Sequence, residues 1–379
     1  MKRLLSVALA LLLLTIPVWA APTSSGLNLA AASAVLMEKE TGTVLYEQKP
    51  HEKLEPASVT KIMTLLLTFE ALDSGRISKD DIVTTSAYAA GMGGSQVYLK
   101  EGEQMSVGEM IKCISVVSGN DAAVAMAEHL SGSEQAFVTE MNARAAQLGM
   151  TDTTFVNCTG LPAQGHLTSA HDIALMSREL IANHPGIREY TTIWMDSIRN
   201  GSFGLTNTNR LIRFYPDATG LKTGSTDGAL YCMSATAERN GMELIAVVMK
   251  SPTSAQRFED AKALLDYGFA SYTLADVYPE IPLPPVDVLL GEEAQVQPQL
   301  SRSCRILVRK GEEKLIQTQT TLAENLAAPV EQGQTIGHLE VLVDGTLRET
   351  IPLVASQSVA RLTISGIFQQ MLQQLMMAK

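Results

Sequence analysis

The sequence predicts a mixed α/β (α+β) protein, in which an antiparallel sheet packs with helices and a small β-rich domain follows. Three observations carry this. Ile62 to Leu72 is a mostly apolar run without Gly or Pro, the pattern of a buried helix. Tyr231 to Glu238 alternates as a strand does. From Ala275 the composition shifts: Pro279, Pro282, Pro284 and Pro285 form a linker, followed by the short alternating runs Arg305–Val308, Leu315–Thr318 and Gly337–Val343. A chain of 379 residues is long enough for two domains and a large core.

Taken in order, residues 1–20 carry Lys2 and Arg3, the apolar run Leu4–Leu14 and the small-residue end Val18-Trp19-Ala20, a secretory leader cleaved after Ala20. Ala34–Glu38 and Thr43–Glu47 read as a hairpin. Gly91–Gly94 reads as a turn or as a mobile rim of a cleft. Met110–Leu130 has helical spacing interrupted at Ser118-Gly119-Asn120, where a glycine costing about 1 kcal/mol against alanine suggests a break between two helices. Phe137–Leu148 is a further helix ended by Gly149. Another runs from Thr168 or Ser169, as cap, to Ile181. Lys222-Thr223-Gly224 precedes the alternating run and sits on a strand at a cleft edge, where Gly224 admits close approach of a ligand. Arg257–Phe269 is a packing helix that closes the first domain.

The chemistry centres on Pro56-Ala57-Ser58-Val59-Thr60-Lys61. Ser58 at a helix start and Lys61 one turn on share a face. A serine becomes a nucleophile beside a base, and a lysine serves when its pKa falls, here through the positive end of the helix. Ser58 as a mere N-cap is the plainer alternative. Likewise Ser118 either caps the following helix or turns its hydroxyl, with the Asn120 amide, into a pocket. His171 reads as a surface histidine rather than a base, and Asp172 either shapes the site or neutralises a helix start.

Three motifs in this order, S-x-x-K at 58–61, S-G-N at 118–120 and K-T-G at 222–224, match a recognised set in which the second is usually S-D-N. With the stretches PASVTKIMT, SGNDAAVAMAE, FVNCTGLP, HLTSAHDIALMSREL and GLKTGSTDGALYCMSATA, the chain resembles the low-molecular-mass penicillin-binding proteins that act as serine D-alanyl-D-alanine carboxypeptidases. The resemblance is close over 30–275 and in outline beyond. It implies a penicillin-binding/β-lactamase-like transpeptidase fold and acyl transfer on peptidoglycan stem peptides ending in D-Ala-D-Ala, with β-lactams as covalent inhibitors and no metal or cofactor. It also implies roles: Ser58 as nucleophile, Lys61 as base, Ser118 in proton transfer, and Asn120 on a substrate amide or on Lys61. Lys222, Thr223, Gly224, Ser225 and Arg257 bind substrate, with the Ser58 and Ser225 N–H groups as the oxyanion hole. The chain departs from some relatives at Ser225, where they carry histidine, and at Thr208, where they carry arginine. One rival reading is a β-lactamase, for which Glu179–Asn183 (ELIAN) is a partial match that continues a helix. Another is a non-catalytic wall-binding or penicillin-sensing protein, disfavoured by an intact nucleophile set.

Without the leader, 27 Lys and Arg face 40 Asp and Glu, a balance that argues against nucleic acid and against charge-driven binding to anionic lipid. Cys113, Cys158, Cys232 and Cys304 lack C-x-x-C spacing, so a metal site is not expected, and disulfides and buried free thiols both fit an exported chain. In the tail, Ile364, Ile367, Phe368, Met371, Leu372, Leu375 and Met376 recur at helical steps opposite glutamines. The expected organisation is a leader at 1–20, a catalytic domain at 21–275, a β-rich domain at 276–352, and an amphipathic helix at 353–379 that anchors the exported enzyme to the membrane surface.

Overall fold

The computed structural model describes residues 26–368. The leader at 1–20 and the tail residues beyond 368 lie outside the described residues. Strand β1 (Ser33–Glu38) and strand β2 (Val44–Gln48) form the expected antiparallel hairpin. A 3-10 turn at Ala57–Thr60 then runs straight into helix α1 (Lys61–Asp73), which is buried on nearly every side. Helix α2 (Val107–Val116), closed at its start by a Ser106/Glu109 capping box, and helix α3 (Asn120–Ser131) are separate, with the break at Ser118-Gly119. Helix α4 (Glu134–Gln147) starts ahead of Phe137 because Ser133 caps it, and Ser169 caps helix α5 (Ala170–Asn183).

Strands β3 (Ala218–Thr226), β4 (Leu230–Arg239) and β5 (Met242–Ser251) complete a five-stranded, wholly antiparallel sheet in the order β2-β1-β5-β4-β3. Both faces are covered. Val35, Met37, Ile245, Val247 and Met249 join the core made with α1 to α5. Ala34, Leu36, Leu244, Ala246 and Val248 point the other way, against Phe258, Ala261, Leu264 and Leu265 of helix α6 (Ser254–Ser271). Central β5 is therefore apolar at nearly every position rather than alternating. Strand β3, which carries Lys222-Thr223-Gly224, lies at the sheet edge, in register Lys222↔Ser234, Thr223↔Met233, Gly224↔Cys232.

The second unit begins earlier than the composition suggests. Strand β6 (Tyr272–Val277) follows α6 without a loop and pairs with strand β7 (Cys304–Arg309), so the expected boundary at 275/276 falls inside a strand. The proline stretch interrupts this unit instead of preceding it. Thr335–Val343 and Thr346–Ala355 form its longest hairpin. The tail also differs from expectation. Leu353, Val354 and Ala355 finish that hairpin, and 356–363 runs back along the unit through the bridges Val330↔Val359 and Gly291↔Arg361. Val359 is 1% exposed among Val286, Val288 and Val330. A branched apolar side chain on an extended segment pairs and packs there, so helical backbone starts only at Ile364. All four cysteines are free and buried.

Candidate active site

Ser58 sits in the 3-10 turn that opens α1, and Lys61 is the first residue of the helix proper. The Lys61 Nζ is 3.0 Å from Ser58 Oγ, 2.6 Å from Asn120 Oδ1 and 2.7 Å from the Thr159 carbonyl. Complete burial lowers its pKa from 10.5 to about 7, against an upward pull from Cys158 and Asp121. Desolvation of the charged form is thus the main cause, where the sequence suggested the helix dipole.

The chain breaks at Ser118-Gly119 between two helices. Ser118 takes a left-handed conformation at φ 64, and Gly119, not Ser118, is the N-cap residue of α3. The Ser118 hydroxyl is buried with no hydrogen-bond partner among the described residues. Asn120 spans the site, accepting from Lys61 and donating from Nδ2 to the Gly93 carbonyl at 2.6 Å, while its own N–H bonds Ser95 O. The Gly91–Gly94 segment is therefore a turn that also walls the site. Asp121, not singled out by sequence, accepts from the Val97 and Leu99 amides and fixes the next stretch of that wall.

On β3, Lys222 is 1% exposed, its Nζ bonded to the Thr223 carbonyl at 2.9 Å. Burial, then Lys61, then Arg257 push its pKa well below 10.5. Thr223 Oγ1 donates to Thr208 Oγ1 at 2.8 Å, so the position where some relatives carry arginine borders the K-T-G strand directly. Ser225, the next residue on the strand, is exposed. Gly224 is close to something other than a ligand. A Cβ there would lie 2.7 Å from the Ser58 N and 2.8 Å from the Val59 N, so the glycine lets β3 meet the nucleophile's own backbone.

Arg257, in the first turn of α6, lies against β3 and β4. Its guanidinium donates to the Gly224 and Cys232 carbonyls at 3.2 and 3.4 Å and rests over the Phe258 and Tyr231 rings. Burial lowers its pKa to about 10. It has no carboxylate partner among the described residues. Lys61, Lys222 and Arg257 are buried basic groups close enough to lower one another's affinity for a proton, an environment that favours an anionic ligand.

Sequence reasoning missed the 157–160 loop as a source of function. Asn157 Oδ1 accepts from the Thr159 and Gly160 amides and so aims the Thr159 carbonyl at Lys61. The signal was Asn157-Cys158-Thr159-Gly160, a turn-forming composition. His171 is partly buried beside His51 and outside the cluster. Asp172 is fully buried and holds the Asp152 amide and the Thr153 hydroxyl, a structural part rather than a helix-end charge alone. Glu179, in α5, is ion-paired with Arg144.

Residues 20–253 match the family model described as D-alanyl-D-alanine carboxypeptidase. The chain belongs to that family. Residues 282–361 match the C-terminal domain of penicillin-binding protein 5. The D-alanyl-D-alanine carboxypeptidase DacF of Bacillus subtilis is 41% identical over 372 residues, covering 95% of each chain. DacC of Escherichia coli is 34% identical, over 87% of this chain and 84% of its own. The crystal structure of penicillin-binding protein 5 from Haemophilus influenzae superposes with a TM-score of 0.76 at 30% identity, over 90% of this chain and all of the other. As a carboxypeptidase of this family, the chain is a serine hydrolase with the transpeptidase fold of the low-molecular-mass penicillin-binding proteins.

Proposed function

We propose that Ser58 removes the terminal D-alanine from peptidoglycan stem peptides ending in D-Ala-D-Ala, through an acyl-enzyme. The observation that carries this is the completely buried Lys61 amine 3.0 Å from Ser58 Oγ, with its pKa near 7. As the Oγ–C bond forms, the proton passes from Oγ to Nζ. The C–N bond then breaks, and the departing D-alanine amine takes the proton back by way of the unpartnered Ser118 hydroxyl. Water hydrolyses the ester and regenerates Ser58. The N–H groups of Ser58 and Ser225 stabilise the oxyanion. Lys222, Thr223 and Arg257 supply positive potential and donors for the terminal carboxylate, with Arg257 acting through the strand it braces. β-Lactams enter the same path when Ser58 opens the ring amide. The test is mass spectrometry after incubation with labelled penicillin, alongside D-alanine release from a D-Ala-D-Ala peptide. Ser58→Ala should lose both signals, and a penicilloyl group on any other residue would overturn the assignment.

The same reading makes the enzyme an exported one, held peripherally on the extracytoplasmic face of the cytoplasmic membrane, with its leader removed after Ala20. The start of the final helix supports this: Ile364 is 89% and Phe368 66% exposed, apolar surface without cover among the described residues. No described helix is long and apolar enough to cross a membrane. Binding through apolar burial predicts release of the mature enzyme from membranes by detergent and not by concentrated salt. Release by salt alone would exclude it.

A further inference from the structure

The peptide unit between Ala57 and Ser58 has an unusual set of neighbours. Thr60 Oγ1 donates to its carbonyl, Ala57 O, at 2.9 Å. The same hydroxyl is 2.8 Å from His166 Nε2. His166 Nδ1 accepts from the Val156 amide at 3.0 Å. These contacts fix every proton. An imidazole nitrogen that accepts from an amide carries none, so the hydrogen is on Nε2 and points at Thr60, whose own proton goes to Ala57 O. The relay runs one way: Val156 N–H, imidazole, hydroxyl, carbonyl. It is sealed, with Thr60 completely buried, Ala57 1% exposed and His166 2% exposed. Burial holds the imidazole neutral, lowering its pKa to about 4 against the pull of Glu134.

The peptide unit is also strained and clamped. Ala57 stands at φ 50, where a Cβ is unfavourable. Gly160 presses on it so closely that a Cβ there would lie 1.8 Å from Ala57 O and 2.9 Å from the Ser58 N, and a Cβ on Gly224 would lie 2.7 Å from the same nitrogen. The other end of this peptide unit is the Ser58 N–H. A hydrogen bond accepted at an amide carbonyl polarises the unit and strengthens its N–H as a donor, and a chain of such bonds reinforces itself.

We infer that His166 and Thr60 are positioning residues for the oxyanion hole, holding the Ala57–Ser58 peptide so that the Ser58 N–H is aimed and polarised toward the developing oxyanion. The inference rests on the assignment of Ser58 as nucleophile and of its N–H as an oxyanion donor. It goes beyond that assignment in giving the 154–168 loop a part in transition-state stabilisation.

The experiment compares Thr60→Val, which keeps the shape and loses the hydroxyl, with Thr60→Ser, which restores it. Removal of a whole oxyanion donor costs roughly 10²–10³-fold, so weakening one through its carbonyl should cost about tenfold in the acylation rate constant. Non-covalent binding of the β-lactam should be unchanged. The infrared carbonyl band of the acyl-enzyme, read with a carbonyl-labelled β-lactam, should move to higher wavenumber in Thr60→Val and return in Thr60→Ser. His166→Phe should move it in the same direction by less, since Thr60 keeps its proton on Ala57 O, and this serves where Thr60→Val does not fold. The wild-type band reports the acyl-enzyme itself, so a wrong nucleophile and a wrong relay give different results. An unshifted band in Thr60→Val or His166→Phe, or a Thr60→Ser enzyme no better than Thr60→Val, overturns the inference.

Discussion

The base assignment makes a quantitative prediction about pH. Lys61 is buried so that its pKa falls from 10.5 to about 7. The protonated amine cannot take the Ser58 proton, so acylation should rise with pH as Lys61 loses its own. At pH 7 an unshifted lysine would be neutral in about one molecule in 3,000, and Lys61 in about half, a gain of about 10³-fold in available base. Between pH 6 and pH 8 the neutral fraction climbs from about a tenth to about nine-tenths, so the second-order rate constant for a fluorescent penicillin should rise about tenfold and then level. Because Lys222 shares the cavity, the apparent value belongs to the pair. Asn120→Asp sharpens the test. It puts a carboxylate oxygen where Asn120 Oδ1 now stands, 2.6 Å from Nζ. An opposite charge that close favours the ammonium form and raises a lysine pKa by about 1–3 units. The rising limb should move up by that amount, with a loss of about 5- to 500-fold at pH 7 that is recovered in alkali. A wild-type profile flat between pH 6 and pH 8, or an Asn120→Asp limb at the wild-type position in a folded protein, would refute Lys61 as the base.

Three further outcomes are expected. Gly224→Ala places a Cβ 2.7 Å from the Ser58 N and 3.0 Å from the Pro56 carbonyl, backbone atoms that cannot swing aside, so penicillin acylation should collapse and thermal unfolding should show a loss of about 1–3 kcal/mol. Arg257→Ala should reduce turnover of peptides with a free terminal carboxylate more than that of their amides; equal losses in steady-state assays would mean that it only braces the Gly224 and Cys232 carbonyls. Cutting the chain before Ser356 removes Val359 from the second unit's core and should lower that unit's melting temperature, whereas a cut after Thr363 should leave it unchanged.

The parts of the site legible in the sequence were those whose signal is local. Ser58 with Lys61, the helix break at Ser118-Gly119-Asn120 and the edge strand at Lys222 each announce themselves within a few residues. Thr159, Asn157 and His166 act through a carbonyl, a turn and a buried tautomer, none of which leaves a mark in spacing. Gly224 reads in the sequence as a point where a ligand approaches, whereas the fold puts the Ser58 and Val59 backbone there. The central strand Met242–Ser251 carries no alternation because both its faces are covered, so its pattern gives no face to read. The tail was misjudged between 353 and 363 because apolar residues there satisfy a sheet edge as well as a helix face.

The four buried cysteines have a consequence of a different kind. The fold closes without a cross-link, so reaching it requires no oxidant and no sorting among alternative pairings. Burial pushes the thiols up, Cys113 to about 12, Cys232 and Cys304 to about 11, and Cys158 well above its ordinary value. In the closed protein they are neither accessible nor ionised, and an alkylating reagent meets a thiolate only when the surrounding structure opens. Three of them sit in the catalytic unit and Cys304 in the second. The native chain thus holds separate clocks for the opening of its two halves, each started by the loss of the packing that silences it.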